Sequence, residues 1–403
     1  MFVNEAVMKI TRPSPRTSGF TLIEMLVVLL LLAVVMIGLL QMLDGASMVS
    51  KTQGDMARMT ENLRFMVSDI VRNMRMTGTG GLPLLAPGSG GALNVTAIDV
   101  RDNVASGEFT IIDGNGRTWS PIPGTDVLTI RGVIGGVVYD LPGSTHITDY
   151  SGAGDSNFEV RLTEQSIFTP GRIQPLPSLV KTGTPVLFTL LWEMPVVVGV
   201  GQERYFSKYN IGIVSADTSP TGTAPDRVLA LPIETSDTDY DAILSLNEGG
   251  NFEPFQKEYV ITAGLLDDLV YFVSTNFDGE PALFLWRTSV NTVVELVDQV
   301  CGLHVALGID LDNDGQVAEV GFAANDDEWF FNAVNETDAT AAQIALLREV
   351  RVSLTGRTTY RDLQYSSSPP LPENSPKLTG DDLRFRYRSH TVRVSLRSHP
   401  PMS

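Results

Sequence analysis

An acidic segment of the sequence has the spacing of a calcium-binding loop. Three aspartates alternate with other residues and are followed by a glycine and a glutamine: Asp310, Asp312, Asp314, Gly315 and Gln316. Alternation brings the three carboxylates to one side of a loop, and oxygen atoms are the ligands that Ca²⁺ takes in proteins. The glycine permits a sharp turn, and the glutamine carbonyl can add a further oxygen. The segment therefore predicts a calcium site.

The same residues also fit a plain turn, and they do not form an EF-hand. The twelfth position of an EF-hand loop needs a bidentate acid, but Gly321 stands there, and Glu319 could replace it only along a different loop path. A plain acidic β-turn would join a strand over Leu303–Ile309 to a strand over Gln316–Phe322, since Asn-Asp-Gly is common in hairpins. Three clustered carboxylates repel one another without a cation. A calcium loop and a plain turn both stay open at this point.

A second candidate residue is an acid near the start of a long apolar segment. Between Phe20 and Leu43 the only formal charge belongs to Glu24, and Met25–Leu40 contains nothing but apolar residues and glycine. A carboxylate is expensive in hydrocarbon, so an acid in such a segment is a functional candidate by default. The alternative is a carboxylate that lies at the membrane interface, where water solvates it.

Motifs of the common enzyme classes are absent from the sequence. It contains no H-E-x-x-H zinc site, no G-x-S-x-G nucleophile elbow and no phosphate-binding P-loop. The one cysteine, Cys301, excludes an intramolecular disulfide framework and a multi-cysteine zinc site. The sequence therefore predicts a protein that is not an enzyme and has no certain cofactor, with calcium as the one candidate.

The composition indicates a large folded protein. The chain has 403 residues, of which 43% are hydrophobic and 19% are charged. This length allows two or three domains or one enlarged domain, and the apolar content is too high for a disordered chain. The formal net charge of −18 argues against a partner of nucleic acid, because phosphate binding needs clustered lysine and arginine.

The apolar segment predicts a membrane anchor. Residues 20–43 are long enough to cross a hydrocarbon core of ~30 Å as a helix. The segment before it carries more basic than acidic side chains, namely Lys9, Arg12 and Arg16 against Glu5. By the positive-inside rule the amino terminus lies in the cytoplasm and the bulk of the protein lies outside it.

Two other kinds of anchor remain as alternatives. A secretory signal peptide would be cleaved after small residues such as Gly45-Ala46-Ser47, although the apolar run is longer than a usual signal peptide core. A plain single-pass anchor explains the length of the segment, but it does not explain the acid at Glu24.

The residues around the start of the apolar segment resemble the processing signal of type IV prepilins and type II secretion pseudopilins. They read Ser18-Gly19-Phe20-Thr21-Leu22-Ile23-Glu24 and are followed by the unbroken apolar run. The resemblance implies that residues 1–19 are a leader, which prepilin peptidase removes between Gly19 and Phe20. It also implies N-methylation of Phe20. The new α-amino group of Phe20 on a neighbouring subunit would neutralise Glu24, and only one stagger of the two helices satisfies both charges.

Four further segments resemble the enlarged minor pilins of the PilW type. Two lie soon after the apolar run and two near the carboxyl end: Asn62–Phe65, Ile70–Gly78, Leu347–Leu354 and Tyr387–Arg397. The resemblance covers residues 16–78 and 346–397 and does not cover most of the middle of the chain. It implies a minor pilin of a type IV pilus, or fimbrium, that helps to nucleate assembly at or near the filament tip.

This resemblance also implies the location and the partners. The protein would be held in the bacterial inner membrane among lipids, with its head outside the cytoplasm, and would then pass into a pilus at the cell surface. Its partners would be prepilin peptidase, the major pilin and other minor pilins. The first alternative is a minor pseudopilin of a type II secretion system. The second is a membrane-tethered extracytoplasmic binding protein or enzyme.

The pattern after the apolar run predicts a second helical half and then a β-rich head. Apolar side chains recur in steps of three and four within residues 44–77, and glycines end the helix. Residues 78–403 contain short β-branched and aromatic runs separated by glycine, proline and polar residues. The predicted fold class is α+β, with a long amino-terminal helix packed on a large antiparallel head. An inserted β lobe is expected at about residues 145–260, and one more helix over Thr337–Glu349.

Overall fold

The computed structural model describes most of the chain between Thr21 and Leu396. The described residues are 21–80, 82, 85–86, 95–134, 136–141, 147–149, 157–166, 169, 171–193, 205–234, 261–312, 314–318, 328–331, 339–344, 346–362, 365–366, 372–375 and 380–396. The predicted leader and its junction, Gly19 and Phe20, lie outside them. The chain divides into two compact units, which meet at Asp55 and Met56.

One helix, α1 (Leu22–Met74), contains both the apolar run and the amphipathic half. Every large apolar side chain of α1 between Leu22 and Leu43 is exposed in the isolated chain. After Met74 the hydrogen bonds tighten into a turn, and the left-handed φ of Gly78 (69°) and Gly80 (93°) ends the helix.

Strands are the main regular structure in the rest of the described chain. A second helix, α2 (Ala341–Ile344), has four residues, and short 3₁₀ turns lie at Thr288–Val290 and Gly380–Arg384. The strands are β1 (Leu85–Ala86), β2 (Val95–Thr96), β3 (Ile98–Arg101), β4 (Ile111–Ile112), β5 (Thr118–Trp119), β6 (Val127–Gly132), β7 (Tyr139–Leu141), β8 (Ile147–Thr148), β9 (Asn157–Thr163), β10 (Pro185–Glu193), β11 (Tyr205–Val214), β12 (Val228–Glu234), β13 (Ile261–Leu265), β14 (Asp267–Thr275), β15 (Pro281–Arg287), β16 (Thr292–Asp298), β17 (Val300–Ile309), β18 (Trp329–Phe330), β19 (Leu347–Arg357) and β20 (Tyr387–Ser395).

These strands form three main sheets. A seven-stranded sheet has the order β7-β13-β10-β11-β12-β9-β8, a five-stranded sheet β16-β15-β14-β6-β3, and a four-stranded sheet β18-β17-β19-β20. Pairs β1-β2 and β4-β5 stand apart from them. Every described pairing is antiparallel. The predicted α+β fold class, with one long helix and a large antiparallel head, is confirmed.

The buried stripe of α1 joins the five-stranded and four-stranded sheets in one core. Its side chains lie three or four residues apart, as predicted from the sequence: Met59, Leu63, Met66, Val67, Ile70 and Met74. They pack with apolar residues of β6, β14, β17 and β19. A polar contact fixes the register, because Asn73 donates to the Tyr271 hydroxyl at 2.5 Å and Tyr271 donates to Asp69 at 3.2 Å.

The seven-stranded sheet has apolar clusters of its own. Its strands run from Tyr139 to Leu265 and enclose the stretch in which an inserted lobe is expected. One cluster contains Phe158, Val160 and Phe188, whereas the neighbouring residue Leu187 lies in another cluster. This alternation shows that both faces of β10 are covered.

Several predicted elements differ in the structure. The helix expected over Thr337–Glu349 is limited, among the described residues, to Ala341–Ile344, and Leu347 already begins β19. Val350 and Val352 are β-branched, which favours a strand, and Leu347–Val352 pairs in a sheet instead of continuing the helix. The run from Val127 to Tyr139 reads in the sequence as strand, but the structure divides it into β6 and β7, because the chain leaves β6 at Gly132 and enters another sheet at Tyr139.

Candidate functional site

The start of α1 is capped by reciprocal hydrogen bonds between Thr21 and Glu24. The Thr21 backbone N–H and hydroxyl both donate to Glu24 Oε2, at 2.9 and 3.0 Å. In return the Glu24 backbone N–H donates to the Thr21 hydroxyl at 3.3 Å. This is a capping box, in which threonine precedes the helix and glutamate occupies its third position. The T-x-x-E spacing could have predicted this contact, which the sequence reasoning missed.

The capping box gives Glu24 a local role but does not cancel its charge. Threonine contributes only neutral donors, whereas the carboxylate keeps a full negative charge beside a run of exposed apolar side chains. In hydrocarbon or in a helix bundle this charge requires a cation. Glu24 can therefore cap its own helix and still bind a positively charged group of a neighbour.

The apolar run has the length and composition of a membrane-crossing helix. Within the described residues α1 is the one helix that meets both criteria, and none of its apolar window is buried against other parts of the chain. Exposed leucines, valines and isoleucines in this number need an apolar environment, because leaving them in water is costly. These features favour membrane anchoring of the segment.

The three predicted calcium ligands come together at the end of β17. Asp310, Asp312 and Asp314 each place a carboxylate oxygen within 4.8 Å of the others. Asp310 is fully buried, whereas Asp312 and Asp314 are exposed. Gln316 follows in the same loop and donates its backbone N–H to Asp314 Oδ1 at 2.7 Å. Glu319 lies outside the described residues.

The two oxygens of Asp310 differ in their partners. Oδ2 accepts the Gly315 backbone N–H at 3.1 Å and the Arg348 Nε–H at 3.0 Å. Oδ1 is buried and has no hydrogen-bond donor among the residues that the structure describes. A buried carboxylate oxygen without a donor is unfavourable, and such atoms are uncommon in native proteins.

Glu328 holds the shape of the loop from Asp310 to Gln316, called the acidic loop below. The sequence reasoning missed this role. Its Oε1 accepts the backbone N–H of Leu311 at 2.7 Å, and its Oε2 accepts that of Ala318 at 2.7 Å. The residue is 6% exposed. The acidic run Asn325–Glu328 reads in the sequence as a solvated loop, but Glu328 is buried, because two backbone segments satisfy its carboxylate. Residues 325–327 lie outside the described residues.

The plain-hairpin alternative is wrong in its strand pairing. It required Gln316–Phe322 to return along β17, but the described part of this segment, residues 316–318, is not strand. The two edges of β17 pair instead with β18, at Leu307 and Gly308, and with β19. The acidic loop therefore leaves the sheet and does not form a tight turn between two paired strands.

A buried histidine in β17 makes a pH-dependent contribution to the stability of the head. His304 is 3% exposed, its Nδ1 lies 3.7 Å from Asp126 Oδ1, and burial lowers its pKa to about 4. Because the unfolded chain has the ordinary pKa near 6.5, the neutral folded form loses stability as the pH falls from about 6.5 to about 4. Burial raises the pKa of Asp126 to about 8, so the contribution of this carboxyl to stability falls as the pH rises from about 4 to about 8.

We expect His304→Leu to remove the histidine contribution to this pH dependence. Relative to the wild type, the free energy of unfolding of the variant should rise by up to about 3 kcal/mol between pH 6.5 and pH 4. Chemical denaturation of both proteins in the same detergent across this range measures the difference. A difference that does not change with pH would contradict a neutral, buried His304.

The comparisons with known proteins bear on the amino-terminal segment alone. Residues 14–40 match the family described as the prokaryotic N-terminal methylation motif. No curated protein and no solved structure matches the chain. The matched residues contain Gly19, Phe20 and Glu24 and extend through most of the apolar run.

The motif and the anchor agree with each other. The motif is typical of type IV prepilin-like proteins, and it implies processing by prepilin peptidase and partners of the pilin type. The long helix supplies the apolar segment that such proteins carry directly after the processing junction. The chain thus carries, at the start of a long apolar helix, the N-terminal methylation motif that is typical of type IV prepilin-like proteins, and this motif supports a pilin- or pseudopilin-like protein.

Proposed function

We propose that this protein is a minor pilin of the PilW type, a structural subunit that helps to start a type IV pilus and lies at or near its tip. The observation that carries the proposal is the methylation motif joined to an exposed apolar helix. In this proposal the helix is anchored in the inner membrane with the head outside the cytoplasm. Assembly then moves the apolar run from lipid into a bundle of pilin helices.

The size of the head supports a position at the tip. The five-stranded and four-stranded sheets share a core with α1, and the seven-stranded sheet adds further volume with its own apolar clusters. Subunits in a filament shaft repeat at a fixed spacing, so each added sheet must fit between neighbours. A subunit at the end of the filament does not have this restriction.

We also propose that the protein has no enzymatic activity. Burial raises the pKa of the Cys301 thiol to about 12, so the thiol remains protonated and is a poor nucleophile. His304 is buried beside Asp126 and is inaccessible to a substrate. These observations support a structural role for the two residue types that could most readily have served in catalysis.

Deleting the gene and examining two phenotypes tests the proposal. We expect the deletion strain to lose surface pili and to regain them when the wild-type gene is supplied, with protein secretion unchanged. The tagged protein should be found in sheared filaments in far smaller amounts than the major pilin. Loss of protein secretion with normal pili would instead identify a minor pseudopilin of a type II secretion system.

A further inference from the structure

We propose that the loop from Asp310 to Gln316 binds one Ca²⁺ ion. The ligands would be a carboxylate oxygen from each of Asp310, Asp312 and Asp314, with the Gln316 carbonyl as a further donor. The three carboxylate oxygens already lie within 4.8 Å of one another, a spacing that suits ligands on one ion. The proposal depends on these residues alone and not on the function proposed above.

The buried Asp310 oxygen is the observation that points to a ligand. Asp310 is 0% exposed, and within the described part of the chain its Oδ1 has no hydrogen-bond donor, although Oδ2 has two. An acidic surface cluster without a metal would place such an oxygen in water. A cation bound against Oδ1 supplies the missing partner, since a coordinated ion satisfies a carboxylate oxygen as a donor would.

The charge of the cluster also favours a cation. Asp310, Asp312 and Asp314 bring three negative charges together, and among the described residues Arg348 forms an ion pair with Asp310. Two negative charges remain at the mouth of the loop, where the exposed Asp312 and Asp314 lie. A divalent cation balances them and removes the mutual repulsion.

The loop is held in shape by residues that are not ligands. Both Glu328 oxygens are used by backbone N–H groups on either side of the loop, so Glu328 is a positioning residue. Asp312 and Asp314 each accept a backbone N–H from the residue two positions later. A loop fixed in this way loses little freedom when an ion binds.

The donor set suits calcium better than magnesium. Ca²⁺ accepts six to eight oxygens in flexible geometry, including backbone carbonyls and water, whereas Mg²⁺ requires a compact octahedron. Two exposed aspartates and one carbonyl leave room for several waters. Because the site is partly open, we expect an affinity in the range of extracellular calcium modules, with Kd on the order of 10⁻⁴–10⁻³ M.

Calorimetric titration of the full chain in detergent tests the site. The protein is first stripped with a chelator and then titrated with CaCl₂ and, separately, with MgCl₂. We expect saturable binding of one Ca²⁺ and at least about tenfold weaker binding of Mg²⁺. Asp312→Asn and Asp314→Asn should each weaken calcium binding by about tenfold or more, because each removes a charged ligand.

The choice of variants keeps the test independent of folding. Both substituted aspartates are exposed, and Asp278→Asn is the matched control, since Asp278 is an exposed turn aspartate between β14 and β15. The control should bind calcium as the wild type does. Absence of saturable calcium binding, equal affinity for Mg²⁺, or unchanged binding by both loop variants would overturn the proposal.

Discussion

Glu24→Gln should abolish incorporation of the protein into filaments while leaving removal of the leader intact. Glutamine keeps the capping box, because its side-chain oxygen can accept the same donors from Thr21 as the carboxylate does. The substitution therefore removes the charge and preserves the start of the helix. Without the charge, nothing pairs with the α-amino group of the neighbouring subunit, and that cation becomes costly in a bundle that excludes water.

Immunoblotting of sheared filaments and of membranes measures both parts of this expectation. The variant should be present in membranes at the mature length and missing from filaments. Thr21→Ala is the matched control, since it removes the capping hydroxyl and keeps the carboxylate, and it should assemble. Normal incorporation of Glu24→Gln, or an equal defect in Thr21→Ala, would show that the carboxylate acts only as a helix cap.

Ile70→Ala should strongly destabilise the head. Ile70 is 0% exposed in the core that α1 shares with two sheets. Removing its side chain leaves a cavity in a close-packed interior, and such substitutions cost about 2–5 kcal/mol. Denaturant unfolding in detergent measures the loss as a lower midpoint with an unchanged slope.

The control for this substitution lies on the same helix. Phe65 is larger than Ile70 but 69% exposed, so Phe65→Ala should change the free energy of unfolding by less than about 0.5 kcal/mol. Comparing the two variants separates the effect of burial on the free energy of unfolding from the effect of side-chain hydrophobicity. Equal losses from the two substitutions would contradict the orientation of α1 against the sheets.

The long helix and its buried stripe could be predicted because a helix repeats its apolar face in steps of three and four. Six buried side chains between Met59 and Met74 follow this pattern. Strand β9 has an equally clear pattern, because its apolar residues alternate with polar ones. Phe158, Val160 and Leu162 are buried. The sequence reasoning missed this strand. The mostly exposed β16 gave almost no such signal.

The acidic loop could be predicted only in part. Asp310, Asp312 and Asp314 are close in the sequence, so their spacing was enough to place them together. Glu328 and Arg348 reach the loop from β18 and β19, and their roles depend on the pairing of these strands with β17. Contacts of this kind are set by tertiary structure, which local spacing does not contain.

The mass of the amino-terminal peptide of the native protein tests the central claim most directly. The protein is purified from its own cells and digested, and the first peptide is identified by mass spectrometry. A chain that begins at an N-methylated Phe20 is the expected result, because that terminus provides the cation for Glu24. A peptide that still contains the leader, or one that begins after Ser47, would contradict it.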